Sequence, residues 1–365
     1  MLLSQQKAVE VTYEKINNEY HFTAINHSNV PYYLKLQFAE LNNLEANQSL
    51  EEYTPTIYPN EGETEILILR IVESDKGSGF NFNYLYTIGD PKIKVDKEFL
   101  YYLPYRHGER IRVGQGYNGS GTHRGINAID FNLMVGDTIY AAREGFAYDI
   151  KEDSNKGGNN LSYEKDGNYI YIYQPDGTLG KYVHLKQNGA LITTGDSIAI
   201  GQAIGLSGNT GYSSGPHLHF TVVHNKDFIP KTLSVSFLNY DQKGFIPQEN
   251  KAYYAFHLGG PAFETKNEES FDETKLEKEK FTSSLSNKIE IESEAYGDYT
   301  LFYVNNGMSQ AIKGKLLLEL TNMNSTKRIP YEFEIEARSK KYLLAIIPKD
   351  DAEQFSYKLS AEFSK

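Results

Sequence analysis

Short stretches of alternating apolar and polar residues, cut at close intervals by glycine, asparagine, aspartate and proline, run through most of this 365-residue sequence. The stretch YIYIY at 169–173, followed at once by the turn residues QPDG, is typical. A period of two is what a strand with one buried face requires, and closely spaced turns are typical of all-β proteins. The one helix-compatible run, the charged segment 268–281, reads as a linker or a short solvated helix. The sequence therefore predicts an all-β fold.

Composition narrows the class of protein further. Hydrophobic residues make up 39% and charged residues 23%, which is typical of a folded chain, and no apolar run is long enough to predict a transmembrane segment. The formal net charge of -11 argues against a nucleic-acid partner, because such partners require a basic surface. Cysteine is absent, so any metal would have to be held by histidine, aspartate or glutamate.

The two ends of the chain resemble each other. YHFTAIN at 20–26 matches YTLFYVN at 299–305, aligning Asn26 with Asn305, and further on Asn42 aligns with Asn322. Each end is of the length and turn spacing of an immunoglobulin-like sandwich. We therefore predict four segments: an N-terminal immunoglobulin-like β-sandwich at 1–102, a central antiparallel β-sheet domain at 103–255, a charged linker at 256–285 and a C-terminal immunoglobulin-like β-sandwich at 286–365.

A phrase of the form G-D-[ST]-I occurs twice in the glycine-dense middle of the chain. It begins at Gly136 and again at Gly195, and each time a further glycine follows nine or ten residues later. We interpret the two phrases as related hairpins in one compact sheet.

The middle of the chain also carries the residues that could do chemistry. His217 and His219 stand two apart in GPHLHF, so on a strand both would face the same side. Taken alone, such a pair is more often two solvent-facing histidines than a site. A hydrolytic zinc site needs three protein ligands and an open position, which His123, Asp130 and one of this pair could supply. The other, with His184, would be left for proton transfer or oxyanion stabilisation.

These phrases resemble the lysostaphin-like, or LytM-like, zinc endopeptidases, which cut peptides of bacterial cell walls. GNTGYSSGPHLHF at 208–220 is similar to that family's signature, and YVHL at 182–185 to its isolated histidine phrase. The resemblance covers about 110–225 and implies a metallopeptidase domain in which Zn²⁺ is bound by His123, Asp130 and His219. It implies further that His184 and His217 are catalytic, and that Tyr117 donates its phenol to the oxyanion.

One position departs from the commonest family pattern, in which the aspartate follows the histidine by four residues. Here that position is occupied by Asn127, and the first acidic residue after His123 is Asp130. We take Asp130 as the ligand, as in a longer form that some members resemble, because a neutral amide oxygen is the poorer third ligand. For Asp130, His184 and Tyr117 the alternative is a structural role: a strand-start turn residue, a buried histidine and a surface tyrosine.

The expected protein is a zinc endopeptidase that acts on peptidoglycan cross-bridges or stem peptides. It would be secreted or lie in the cell envelope. MLLSQQK lacks the pattern of a signal peptide, so the protein is either cytosolic or has already lost one, and with this resemblance we expect the second. Two other functions stay open at this point: a catalytically silent regulator on the same fold, and a wall-binding protein in which the centre is a passive spacer.

Overall fold

The computed structural model describes residues 7–263, 273–278, 281–283, 285–296, 299–349 and 355–364, and their regular secondary structure is almost entirely strand. The predicted all-β fold is confirmed. Within the charged run at 268–281 the described residues form one short helix, α1 (Glu273–Lys278), and the rest of that run up to 280 lies outside the described residues. Neither of the two short helices of the described chain is long and apolar enough to cross a membrane.

The N-terminal part of the chain is a pair of facing sheets. Their orders are β1-β2-β6-β4 and β5-β3-β7, and they share a core that includes Phe22, Leu34 and Leu67. The alternating burial along β2 shows why these strands form: every second side chain enters that core. The strands are β1 (Val9–Ile16), β2 (Glu19–Asn26), β3 (Tyr32–Asn42), β4 (Leu44–Ala46), β5 (Thr56–Ile57), β6 (Thr64–Ile71) and β7 (Gly79–Ile88).

The central part is built on a large sheet in the order β17-β12-β14-β15-β20-β10-β9-β24, with β21 beside β20. Its core includes Tyr101, so it begins just before the predicted boundary at 103. The elements are β8 (Leu100–Tyr101), β9 (Arg110–Gln115), β10 (Ala128–Phe131), β11 (Thr138–Tyr140), β12 (Gly145–Lys151), β13 (Gly157–Gly158), a 3-10 helix (Leu161–Asp166), β14 (Tyr169–Tyr173), β15 (Thr178–Val183), β16 (Leu185–Ala190), β17 (Ser197–Ile198), β18 (Ala203–Ser207), β19 (Gly211–Tyr212), β20 (Leu218–Lys226), β21 (Ile229–Leu233), β22 (Ser236–Leu238), β23 (Gly244–Phe245) and β24 (Ala252–Tyr254).

The C-terminal part repeats the N-terminal arrangement. Sheet β26-β27-β31-β29 has the order of β1-β2-β6-β4, and β30-β28-β32 has that of β5-β3-β7. The strands are β25 (Phe281–Thr282), β26 (Ile289–Tyr296), β27 (Tyr299–Asn306), β28 (Ile312–Thr321), β29 (Met323–Ser325), β30 (Tyr331–Ile335), β31 (Ser339–Pro348) and β32 (Ser356–Ser364). The shared order supports a duplication, whereas the immunoglobulin-like assignment and the domain boundaries stay predictions.

The structure corrects the alignment of the two ends by one residue. Asn26 corresponds to Asn306: the side-chain amide of each donates to the carbonyl four residues ahead, at 2.8 and 3.0 Å, and to a second carbonyl 31 or 30 residues ahead, at 2.8 and 2.9 Å. Asn43 likewise corresponds to Asn322, because both have positive φ, 53° and 52°, just before a short strand. The sequence match slipped because asparagines are doubled at 42–43 and 305–306.

The two G-D-[ST]-I phrases form matching turns, but they do not lie in one sheet. Gly136 and Gly195 have φ of 96° and 97°, a region that favours glycine, and the aspartate after each accepts a backbone N–H at 2.7 Å. The first turn leads into β11, which pairs with β18 in a three-stranded sheet, and the second into β17, at the edge of the large sheet. The hairpin prediction was wrong on this point because a turn sequence sets local geometry and not the pairing partner.

The large sheet has one core face and one open face. Alternate residues of its central strands, such as Ile170, Tyr182 and Phe220, are buried in the central core. Their neighbours point the other way and form cross-strand rows on the open face. The first row is Asp130, His219, Val183, Tyr169 and Lys151; the second is Ala128, Thr221, Lys181, Tyr171 and Asp149; the third is Val223, Leu179 and Tyr173.

The N-terminal part covers the third row. Val223, Leu179 and Tyr173 belong to its core rather than to the central one. Polar contacts reinforce this junction, since the Tyr33 hydroxyl donates to the carbonyl of Asn225 at 3.1 Å. The N-terminal part therefore covers the third row of this face.

Candidate metal centre

Three predicted ligands meet at the first row of the open face. His123 lies in the loop between β9 and β10, Asp130 in β10 and His219 in β20, where the last two are direct cross-strand partners. Oδ1 of Asp130 is 3.2 Å from Nε2 of His123 and 3.0 Å from Nδ1 of His219, and the two ring nitrogens are 3.3 Å apart. Histidine and aspartate at these three positions could hold a metal ion.

The donor geometry of the cluster suits a small divalent cation. Nδ1 of His123 is 3.0 Å from the carbonyl oxygen of Gly116. A carbonyl can only accept, so Nδ1 carries the proton and Nε2 presents a lone pair to the other two ligand atoms. Tetrahedral sites with bonds of about 2.0–2.1 Å need ligand atoms about 3.3 Å apart, close to the spacing found here. Three acceptors that converge in this way are best satisfied by a cation.

Gln115 supports two of the three ligands. Its side-chain amide donates to Oδ2 of Asp130 at 3.1 Å, and its carbonyl oxygen accepts from the backbone N–H of His123 at 3.3 Å. Without a metal ion, protonated His123 and His219 rings would donate hydrogen bonds to Asp130. Burial by itself raises the pKa of Asp130, but these bonds outweigh it and hold that pKa well below its usual range. Burial lowers the pKa of His123, and the bond to Asp130 more than offsets this, so its pKa is raised.

Two further histidines, His184 and His217, stand beside the cluster with the same tautomer. Nδ1 of His184 donates to the carbonyl of Thr210 at 2.7 Å, and Nδ1 of His217 to that of Gly215 at 2.8 Å. Each therefore leaves Nε2 free to accept a proton. The two rings are 4.6 Å apart, and Nε2 of His217 is 3.6 Å from Oδ1 of Asp130. The structure thus brings together five of the six residues predicted for the site.

His184 is held in an uncommon backbone conformation between β15 and β16. Its φ is 70°, in the left-handed region that side chains other than glycine rarely adopt. Burial, followed by the nearby charges of His217 and His219, lowers the pKa of His184 to about 3, so its ring stays neutral. The packing around His184 also requires a glycine at position 211. There φ is 81°, and a Cβ atom would lie only 2.6 Å from Cα of Gly167.

A cavity of about 890 Å³ opens over these groups. The C-terminal part of the chain contributes to its wall through Ser293, Glu294 and Thr300, which lie on β26 and β27. Glu164 and Glu249, both exposed, add acidic groups at the same cavity. A substrate would therefore meet both the central sheet and the C-terminal sandwich.

Tyr117 is placed differently from the expectation. Its hydroxyl donates to the carbonyl of Val235 and accepts from the N–H of the same residue, both at 3.1 Å, and the ring packs against the central core. It does not line the cavity. The phenol is therefore turned away from the three candidate metal ligands, because backbone groups of the loop after β21 form hydrogen bonds with its hydroxyl.

Asn127, the residue at the commoner ligand spacing, also stays out of the cluster. Its side-chain amide donates to the carbonyl of Thr232 at 3.1 Å, and its carbonyl oxygen accepts from Asn118 at 3.2 Å. No role was predicted from the sequence for Gln115, or for Thr210, which lies within the phrase at 208–220. Nothing in a single sequence marks them, since their importance arises from contacts across the sheet.

Comparison with known proteins agrees with this geometry. Residues 123–230 match peptidase family M23. The chain is 38% identical over 112 residues to an uncharacterized metalloprotease of Buchnera aphidicola, and 38% identical over 104 residues to the peptidoglycan DD-endopeptidase ShyC of Vibrio cholerae. These matches cover 30% and 28% of this chain but only 26% and 20% of the relatives, so the chain spans about a quarter of their length or less.

A solved structure is similar as well. The catalytic domain of lysostaphin from Staphylococcus simulans is 29% identical, with a TM-score of 0.25, over 32% of this chain and 81% of that one. The resemblance to the lysostaphin-like family seen in the sequence is confirmed by the family match. The central part of the chain is accordingly a peptidase family M23 domain.

Proposed function

We propose that this protein is a zinc-dependent endopeptidase that hydrolyses peptide bonds in bacterial peptidoglycan. The observation that carries the proposal is the convergence of one carboxylate oxygen and two imidazole nitrogens within 3.0–3.3 Å, with two more imidazoles beside them. The match to peptidase family M23 and the similarity to the peptidoglycan DD-endopeptidase ShyC support the reaction and the substrate class.

His123, Asp130 and His219 would hold the metal. Two neutral imidazoles and one carboxylate leave a divalent ion with a net charge of about +1, and the ion would act as a Lewis acid and lower the pKa of water. Zinc suits the set because it accepts nitrogen and carboxylate ligands in tetrahedral geometry. Gln115 and the carbonyl of Gly116 would keep Asp130 and His123 in their ligating orientation.

His217 and His184 would move the protons. Hydrolysis of a peptide bond adds water across the C–N bond: one proton leaves the attacking water and one reaches the departing amine. Nε2 of either histidine can take the first proton, because each Nδ1 is already protonated and bound to a carbonyl. The charged ring can then protonate the amine. Burial lowers the pKa of His184 and favours the neutral ring, whose Nε2 can accept a proton.

The two flanking parts would limit access to the cleft. The C-terminal sandwich contributes to the cavity wall, which supports a role in covering the cleft, and the N-terminal one closes the open face at the third row. Action on peptidoglycan would place the protein outside the cytoplasmic membrane, secreted or in the envelope.

The proposal is tested by loading the purified chain with zinc, measuring bound metal by elemental analysis, and incubating it with peptidoglycans of different cross-bridge types. Mass analysis of the released peptides should show cleavage that a chelator abolishes and that His217→Ala reduces at least about 10²-fold. A folded protein that binds zinc and releases no peptide would support the regulator instead. Wall binding unaffected by His217→Ala, without cleavage, would support the spacer.

A further inference from the structure

One wall of the cavity over the metal cluster is an edge strand of the C-terminal sandwich. β26 is the last strand of its sheet, and among the described residues only β27 pairs with it. Ser293 and Glu294 of β26 both line the cavity, although neighbouring side chains of a strand point to opposite faces. Thr300, the third residue of this wall, is the cross-strand partner of Ala295 and so shares the face of Ser293. The cavity therefore extends from that face around the outer edge of β26.

The backbone of Ser293 points away from β27. Gly307, which follows β27, donates its N–H to the carbonyl of Lys288 at 2.9 Å, just before β26 begins. In an antiparallel pair, hydrogen-bonded residue pairs alternate with non-bonded ones. The register of β26 with β27 has no shift, and Ser293 lies an odd number of positions after Lys288, so Ser293 and its partner Phe302 are a non-bonded pair. The N–H and C=O of Ser293 are consequently directed to the free edge.

The C-terminal sandwich contacts the central part beside the same cavity. The guanidinium group of Arg112 in β9 lies 5.4 Å from the ring centre of Phe355, which belongs to the C-terminal part. β9 ends at Gln115, and both Gly114 and Gln115 line the cavity. The edge of β26 and the metal cluster are thus two sides of one cleft.

The two copies of the sandwich differ at this edge. β1 pairs with β2 in the register in which β26 pairs with β27, so Ser293 corresponds to Tyr13 and Thr300 to Tyr20. In the N-terminal copy the rings of Tyr13 and Tyr20 pack on Phe80, with centroid distances of 4.9 and 5.1 Å. The C-terminal copy has a small hydroxyl side chain at both positions, and both line the cavity. The copy beside the metal cluster is therefore the one that leaves room for a ligand.

We propose that the C-terminal sandwich holds the substrate, and that an extended peptide in the cleft adds to β26 as a further strand, bonded to the N–H and C=O of Ser293. Edge strands bind peptides in this way because their outer N–H and C=O groups are unpaired. The inference rests on the proposed function and adds the part of the chain that positions the peptide. Main-chain recognition of this kind requires α-linked residues with free amide N–H groups and makes no demand on their side chains.

A methylation scan of a peptide without side chains tests this binding mode. Pentaglycine is titrated calorimetrically into the full chain with chelator present, so that it is not cut, and each glycine in turn is replaced by N-methylglycine. Only every second N–H of an added strand meets the edge, so methylation at positions two apart should weaken binding about 5-fold, whereas the position between them should bind as the parent does. No binding of pentaglycine, or the same affinity for every methylated peptide, would overturn the inference.

Variants then assign the effect to β26. Ser293→Pro removes an N–H that takes no part in the ladder with β27 and should weaken pentaglycine binding about 5-fold, with the melting temperature as a check on folding. Ser293→Ala keeps the N–H, and Tyr13→Pro alters the corresponding edge away from the cavity, so both should bind as the wild type does. Unchanged affinity of a folded Ser293→Pro chain would overturn the inference.

The oligomeric state, measured by sedimentation, covers the other occupant of a free edge. A dimer that Ser293→Pro converts to a monomer would put a second copy of the chain on β26 and would overturn the inference. None of these readouts needs turnover. Cleavage of peptidoglycan without position-dependent binding defeats only this inference, and position-dependent binding without cleavage defeats only the proposed function.

Discussion

Nδ1 of His184 donates a hydrogen bond to the carbonyl oxygen of Thr210 at 2.7 Å, and this bond fixes which ring nitrogen faces the metal cluster. Thr210 is itself held, because its hydroxyl donates to the carbonyl of Leu185 at 2.7 Å and accepts from the N–H of Asn168 at 3.0 Å. The orientation of His184 therefore depends on three separate segments of the chain.

Replacing His184 should separate catalysis from metal binding. His184→Ala removes a proton carrier but no ligand, so peptide hydrolysis should fall at least about 10²-fold while the zinc content stays unchanged. His224→Ala is the matched control, since His224 lies on β20 beyond the cavity, and its rate should stay within about 2-fold of the wild type. Loss of zinc from His184→Ala would show that this histidine is a ligand.

The Thr210 hydroxyl should be worth a measurable amount of stability. Thr210→Val keeps the shape of the side chain but leaves the buried N–H of Asn168 unpaired, and it leaves the carbonyl of Leu185 with only the longer bond from the Asn168 side-chain amide, at 3.4 Å. An unpaired buried N–H costs about 1–3 kcal/mol. Denaturant unfolding measures this difference, and Thr210→Ser should recover most of it. If valine and serine unfolded at the same denaturant concentration, the hydroxyl would have no such role.

The acid at position 130 can be distinguished from the amide at position 127 by metal content. Asp130→Asn removes the charged ligand and should weaken zinc binding about 10²-fold or more, whereas Asn127→Ala should bind zinc as the wild type does. Competition with a chromophoric chelator gives both affinities. If Asn127→Ala bound zinc more weakly than Asp130→Asn, the third ligand would instead be Asn127, at the spacing that is commoner in the family.

Metal-free protein should show the contribution of Asp130 in its pH dependence. The folded-state pKa of this carboxyl lies below its ordinary value of 3.8, so its stabilising effect is present above that pH and is lost as the pH falls through the lower folded value. With chelator present, the difference in melting temperature between wild type and Asp130→Asn should therefore shrink as the pH is lowered from 5 to about 2. A difference that grew in acid would contradict the ion pairs seen with His123 and His219.

The site could be found from the sequence because its ligands lie in short phrases whose residue types and spacing carry the chemistry. His123, Asp130 and His219 meet as expected, since strand alternation alone puts His219 on an open face. The direction of Tyr117 could not be predicted, because a loop side chain turns toward whichever backbone groups satisfy it.

The fold could be predicted in class but not in register. Alternating hydrophobicity identified the strands, and the weak match between the two ends indicated a repeat. The alignment slipped by one at doubled asparagines, because only the structure shows which member of each pair is equivalent. The side-chain bonds shared with Asn26 identify Asn306, and the positive φ shared with Asn322 identifies Asn43. Similarly, the turns at Gly136 and Gly195 have the same shape but serve different sheets.

The packing of Val223, Leu179 and Tyr173 in the N-terminal core has a consequence for how the protein unfolds. A strand that supplies side chains to two cores cannot leave one without disrupting the other, so the N-terminal and central parts should melt as a single cooperative block. The C-terminal cores contain only residues from 276 onward within the described chain. Scanning calorimetry should accordingly record two transitions for the three parts of the chain. Zinc bound at the proposed site should raise the midpoint of only the transition that includes the large central sheet.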